Sequence, residues 1–125
     1  MNAEQAQHLI DAAITSARDE GIAVCIAIVD AAAHLQAFHR MDGAMLGTID
    51  VAISKARTSV LFPVSTADFG ELVRQEKLDG MLSMNGGMVG FPGGVPLQGG
   101  GAIGVSGGTA EQDEAICVSA AQAVY

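Results

Sequence analysis

Between residues 89 and 108 the chain reads VGFPGGVPLQGGGAIGVSGG, with nine glycines in twenty residues. A stretch so poor in side chains is a linker, a phosphate-cradling loop, or a set of short strands and turns packed against something close. The linker reading fails because Phe91, Val95, Leu97, Ile103 and Val105 punctuate the glycines with core-type residues. A P-loop needs GxxxxGK followed by Ser or Thr, and no lysine occurs after Lys77. A dinucleotide-binding GxGxxG follows the first strand of a βαβ unit, whereas these glycines come after three helical segments. Strands, bulges and turns with bare backbone remain. Such backbone either packs tightly under a helix or lets its N–H groups approach a ligand closely.

The segments around this stretch read more simply. Over residues 3–20, Ala6, Leu9, Ile10, Ala13, Ile14 and Ala17 recur at helical spacing, opposite Glu4, His8, Asp11, Thr15 and Arg18; Gly21 ends that helix. IAVCIAIVD at 22–30 is a short β-branched run, a buried strand. After a turn at 30–33, the alternation in HLQAFHR predicts a second strand paired in a hairpin. A second helix is expected over 44–59 and a third over 66–78, separated by Pro63 and stopped by Gly80. From 81 to 108 no helical period survives, and the apolar pieces MVGF, GVPL and AIGV are expected as three strands. A last helix opens at TAEQDE, where Thr109 and Gln112 have capping-box spacing and three acids favour the helix N-terminus. The order α-β-β-α-α-β-β-β-α predicts a single α+β domain over 1–125 with helices packed on a sheet.

Fourteen acidic residues against six scattered basic ones give a formal charge of −8, which disfavours nucleic acid and anionic membrane surfaces as partners. Half the residues are apolar, many of them alanine, and only 16% are charged. A chain this short has few charges with which to cover its own surface, so a homo-oligomer is expected. Cys25 and Cys117 stand far apart in apolar surroundings, as buried free thiols of a reducing compartment. The polar, acidic N-terminus and the lack of a membrane-length apolar run point to a cytoplasmic protein.

Polar function concentrates in FHRMDGA, where His39, Arg40 and Asp42 end a strand and precede a helix. Strand alternation sets Arg40 on one face with His34, Gln36 and Phe38, and His39 on the other with Leu35 and Ala37. Arg40 is placed to pair with Asp42 or Asp113, or to clamp a ligand carboxylate. Asp113 lies one turn before Cys117 on the core side of the last helix, where a carboxylate needs backbone N–H groups or an arginine. Lys55, on the flank of the second helix, is expected to be solvated. The glycines of SGGTAEQDE precede a helix N-terminus, which offers free N–H groups to an anion unless Thr109 merely caps the helix. His8, His34 and His39 have no metal-site spacing and the cysteines do not join them, so no metal centre is expected. Ser106 makes a poor match to a nucleophile elbow.

IVDAAAHLQAFHRMDGA, AISKARTSVLF, GFPGGVPL and AIGVSGGTAEQDE together resemble the GlcG/HbpS family, also known as DUF336 or haem-degrading, which includes the C-terminal domain of PduO-type proteins. The resemblance runs from about residue 5 to 124. It implies a five-stranded antiparallel sheet flanked by helices and symmetric oligomers, often octamers. It further implies haem or another tetrapyrrole as ligand, held by a histidine near the N-terminal helix, for which His8 is the matching position. Ala33 stands where the family's hairpin commonly has glycine, and LQGGGAI looks shorter than the usual family hairpin. The expected ligand-binding residues are His8, Arg40, Gly93, Gly94, Pro96, Gly107 and Gly108. The competing expectation is an enzyme for hydrolysis, deamination or isomerisation of a small organic acid in an aromatic or glycolate catabolic pathway. There Arg40 and the glycine amides would hold a carboxylate, while Asp42, His39 or Asp113 moves a proton. A third is an accessory subunit without chemistry.

Overall fold

A computed structural model describes residues 1–125. The N-terminal helix α1 (Ala3–Asp19) opens on a capping box in which Asn2 accepts from the Gln5 amide and the Gln5 side chain bonds back to Asn2. Its stripe of Ala6, Leu9, Ile10, Ala13 and Ala17 is buried. The chain then enters β1 (Cys25–Val29), whose five residues are all fully buried because helices cover both faces of the sheet.

Asp30 shapes the following turn: one carboxylate oxygen accepts from the Ala32 and His34 amides at 2.9 and 3.0 Å. Those bonds, His34 first, hold its carboxyl below its ordinary range. Ala33 sits in the left-handed region at φ 65°. The hairpin then runs back as β2 (Leu35–Arg40), but the register slips between Ile28 and Val29, so that Ile28 faces Ala37 while Val29 faces Leu35. Gln36 is the extra residue of this bulge. Strict alternation set Leu35 with His39; the bulge moves it to the face of Val29 and Phe38.

Helix α2 (Thr48–Leu61) begins four residues later than expected, because 41–47 form turns. Helix α3 (Thr66–Gln75) follows, capped by the Ser65 hydroxyl. Next comes a 3-10 segment, Asp79–Gly86, broken at Met84 and Asn85. The chain closes with β3 (Gly94–Pro96), β4 (Ala102–Ser106) and α4 (Ala110–Val124), the last opened by the Thr109–Gln112 capping box.

The sheet therefore has four strands, ordered β2-β1-β4-β3 and antiparallel throughout, in place of the five expected. The missing strand is the MVGF piece. Its backbone donors are used elsewhere: Met88 N–H bonds the Leu82 carbonyl and Val89 N–H the Thr58 hydroxyl. Gly90 lies against α3 so closely that a Cβ on Gly70 would sit 1.7 Å from its carbonyl oxygen. With those donors satisfied by helices, no ladder forms.

Helices α1 and α4 pack on one face over Ile26, Ile28, Ile103 and Val105. On the other face α2 covers Cys25, Ala27, Val29 and Ala102 with Ala52 and Ala56. A small satellite cluster of Phe69, Val73 and Met88 sits beneath α3. Gly104 lets α2 come down onto the sheet, since a Cβ there would stand 2.1 Å from the Ala52 carbonyl oxygen.

Candidate functional site

The glycine-rich stretch is built around a lysine. Lys55 is 1% exposed, and its ammonium donates to the Val105 carbonyl at 2.8 Å and to Asp113 Oδ2 at 3.2 Å. The expectation of a solvated Lys55 is thereby corrected: Gly94 and Gly104 draw α2 against the strands, and the lysine flank faces protein. A Cβ on Gly93 would lie 2.4 Å from Nζ, so only glycine leaves room for the amine. The Phe91 ring stands over Nζ with its centroid at 5.1 Å.

Asp113 points into the core, as its place on the helix stripe indicated. Its partner is Lys55 and not an arginine. Its second oxygen accepts from Gly108 N–H at 2.9 Å. One turn on, the Cys117 thiol contacts the Gly93 carbonyl at 3.2 Å, and burial pushes its pKa well up. Because α2 and α4 lie on opposite faces of the sheet, the Lys55–Asp113 pair ties the two helix layers together through the glycine backbone. Gly94 N–H is likewise engaged, by the Thr66 hydroxyl at 2.9 Å. The amides of Gly94 and Gly108 thus serve internal bonds, and the cluster is enclosed.

The polar residues of FHRMDGA lie elsewhere. Arg40 ends β2 and pairs with Cys25 of β1, and β2 is the opposite edge of the sheet from β3 and Gly94. His39, Arg40 and Asp42 line an open cleft of about 350 Å³ together with Met41 and Arg18, the last from the final turn of α1. Sequence reasoning placed Arg18 only on a solvated helix face. Arg18 reaches this cleft because α1 packs beside β2, which no local pattern announces. Asp113 is not part of this cleft.

Pro96 lines a separate cleft of about 200 Å³ with Ala31, Ser59, Val60, Pro63, Leu97, Gly100 and Gly101. Gly107 and Gly108 are partly exposed just before α4. His8 is exposed on the outer face of α1, and Asp11, one turn along, is held by the Gln7 amide at 3.0 Å. No three His, Cys, Asp or Glu side chains are grouped so as to hold a bare metal ion. Both cysteines are free and buried, and no helix is long and apolar enough to cross a membrane.

Comparison with known proteins bears on this geometry. The family model described as "Haem degrading protein HbpS-like" matches residues 1–122. No curated protein matches the chain. Among solved structures, the Klebsiella pneumoniae protein ORFY, a DUF336 protein, is 28% identical and superposes with a TM-score of 0.92, covering 98% of this chain and 88% of that one. The haem complex of PduOC is 30% identical with a TM-score of 0.90, covering 99% of this chain and 94% of that one. A double mutant of HbpS from Streptomyces reticuli is 26% identical with a TM-score of 0.91, covering 100% of this chain and 87% of that one.

Proposed function

Because the chain belongs to the HbpS-like family of haem-degrading proteins, we propose that it binds haem, working in the cytoplasm as an assembly of several copies. The observation that carries this reading is the likeness to PduOC, a protein solved with haem, which extends over almost the whole of both chains. Haem also suits the donor set. Haem would bring ligands of its own to its iron and would take a further donor from the protein. His8 is the residue that would hold it: its imidazole is exposed, and the neighbouring Asp11 is turned toward Gln7. Bound haem would supply iron-centred redox chemistry and a visible absorption band.

One copy provides the ligand but not the walls. The outer face of α1 beside His8 is polar, with Glu4, Gln7 and Asp11, whereas a porphyrin needs apolar cover. A second copy would supply it. The surface supports association, for Leu35, Met45 and Leu46 are 51%, 66% and 72% exposed. The octamer is the assembly we propose, to be checked by light scattering.

The test is a haem titration followed by absorbance. A red-shifted Soret band that saturates with the wild-type protein and is lost in His8→Ala is the expected result. A spectrum identical to free haem with the wild type overturns the haem reading. A full Soret shift in His8→Ala removes His8 from it.

A further inference from the structure

Helix α2 ends with acceptors that its sequence leaves unpaired. The Ser59 carbonyl would ordinarily accept from the N–H four residues on, but that residue is Pro63, which has none. The Val60 carbonyl loses its donor as well, because Val64 N–H turns to the Phe62 carbonyl at 2.6 Å. Neither carbonyl accepts any other backbone N–H. Ser59 is 0% exposed, and its hydroxyl is the one buried side-chain polar atom of the chain without a hydrogen-bond partner. The buried hydroxyls of Thr48, Thr58 and Thr66 are all bonded. An unpaired buried polar group carries its full desolvation cost, so its persistence calls for a partner from outside the chain. Ser59, Val60 and Pro63 all line the cleft of about 200 Å³ that Ala31, Leu97 and Gly101 wall on its other sides.

We infer that this cleft binds a small primary amine in its ammonium form. The unpaired groups at the end of α2 are two carbonyls and a hydroxyl oxygen, all able to accept, so the ligand is a donor. An ammonium group carries three donors and no acceptor, the complement of that set. The groups stand at the C-terminal end of α2, the negative end of its dipole, which favours a cation. No basic side chain lines the cleft to oppose one, and the chain carries a net charge of −8. Val60, Pro63, Pro96 and Leu97 offer apolar wall to the body of the molecule. At ~30 Å³ for each water of the liquid, the cleft has the space of roughly seven waters, which limits the ligand to a compound about the size of benzylamine. The inference does not rest on the haem reading, because the cleft lies at the end of α2 while α1, which carries His8, packs on the other face of the sheet.

The experiment is calorimetric titration of the full chain with benzylamine, benzyl alcohol and benzoate at neutral pH. Saturable binding is expected for benzylamine, weaker binding for the neutral alcohol and none for the anion. Ala31→Leu fills the cleft from its exposed rim, so it should abolish binding and leave the unliganded melting temperature at the wild-type value. Ser59→Ala should weaken benzylamine binding by roughly tenfold. The same variant should raise the melting temperature of the unliganded protein by a few degrees, because it deletes a buried hydroxyl that has no partner. A lowered melting temperature in Ser59→Ala would show that the hydroxyl is already satisfied, and overturns the inference. So does benzylamine binding that is absent from the wild type, unchanged in Ala31→Leu, or matched by benzoate.

Discussion

Breaking the Lys55–Asp113 pair from one side should cost much of the stability of this domain. The two side chains are 1% and 4% exposed, so neither charge can turn to water when its partner is lost. Lys55→Met leaves the Asp113 carboxylate buried with Gly108 N–H as its remaining bond, and Asp113→Asn leaves a buried ammonium facing Val105 and an amide. Removing one partner of a buried ion pair costs about 3–5 kcal/mol, out of the roughly 5–15 kcal/mol that hold a typical domain folded. At about 2.1 cal/mol/K of unfolding entropy per residue, 125 residues translate this into a fall in Tm of roughly 10–20 °C. The double variant carries no buried charge and keeps an amide for Gly108. It should recover much of the loss, with a coupling of about 2–3 kcal/mol between the two changes. Urea denaturation of the four proteins, read by circular dichroism and fitted with a common slope, measures each term. Single variants within about 1 kcal/mol of wild type would refute the enclosure described above, by the same reasoning. Strictly additive losses would refute the tie between the helix layers.

Two further outcomes follow from buried or strained groups. The Cys117 thiol stays protonated in the fold while the unfolded chain ionises near its ordinary value of 9.0. Its share of stability is therefore complete below that pH and drains above it, by up to about 1.4 kcal/mol per pH unit; Cys117→Ala should flatten the decline between pH 9 and 10. An equally steep decline in the variant would contradict this. At Ala33, held at φ 65°, glycine relieves backbone strain, so Ala33→Gly should raise stability by about 1 kcal/mol in the same urea assay; a loss would show that the Ala33 methyl, 7% exposed, packs more than it strains.

Much of the fold was legible because it depends on local patterns. The stripes of α1 and α4, the Thr109–Gln112 capping box and the apolar run of β1 lie in continuous sequence, and each carries its own periodicity or cap. The segment 81–91 misled because short apolar pieces among glycines look the same in a strand and in a loop pressed against a helix. The β2 bulge was also hidden: a one-residue slip leaves composition unchanged while moving Leu35 to the other face.

The candidate sites divide in the same way. His39, Arg40 and Asp42 are neighbours in sequence and stay neighbours in the cleft. Arg18 joins them only through the packing of α1 beside β2. Composition and spacing by themselves determined a single α+β chain with an acidic surface, buried thiols, a capped last helix and a glycine stretch too rich in core residues to be a linker. The tertiary structure alone decided what those glycines are for. Across 38 residues from Lys55 to Gly93, no periodicity could show that the missing side chains make room for a buried ammonium. That fit depends on where α2 comes to rest on the sheet, and contact distances between distant segments are settled only when the layers pack.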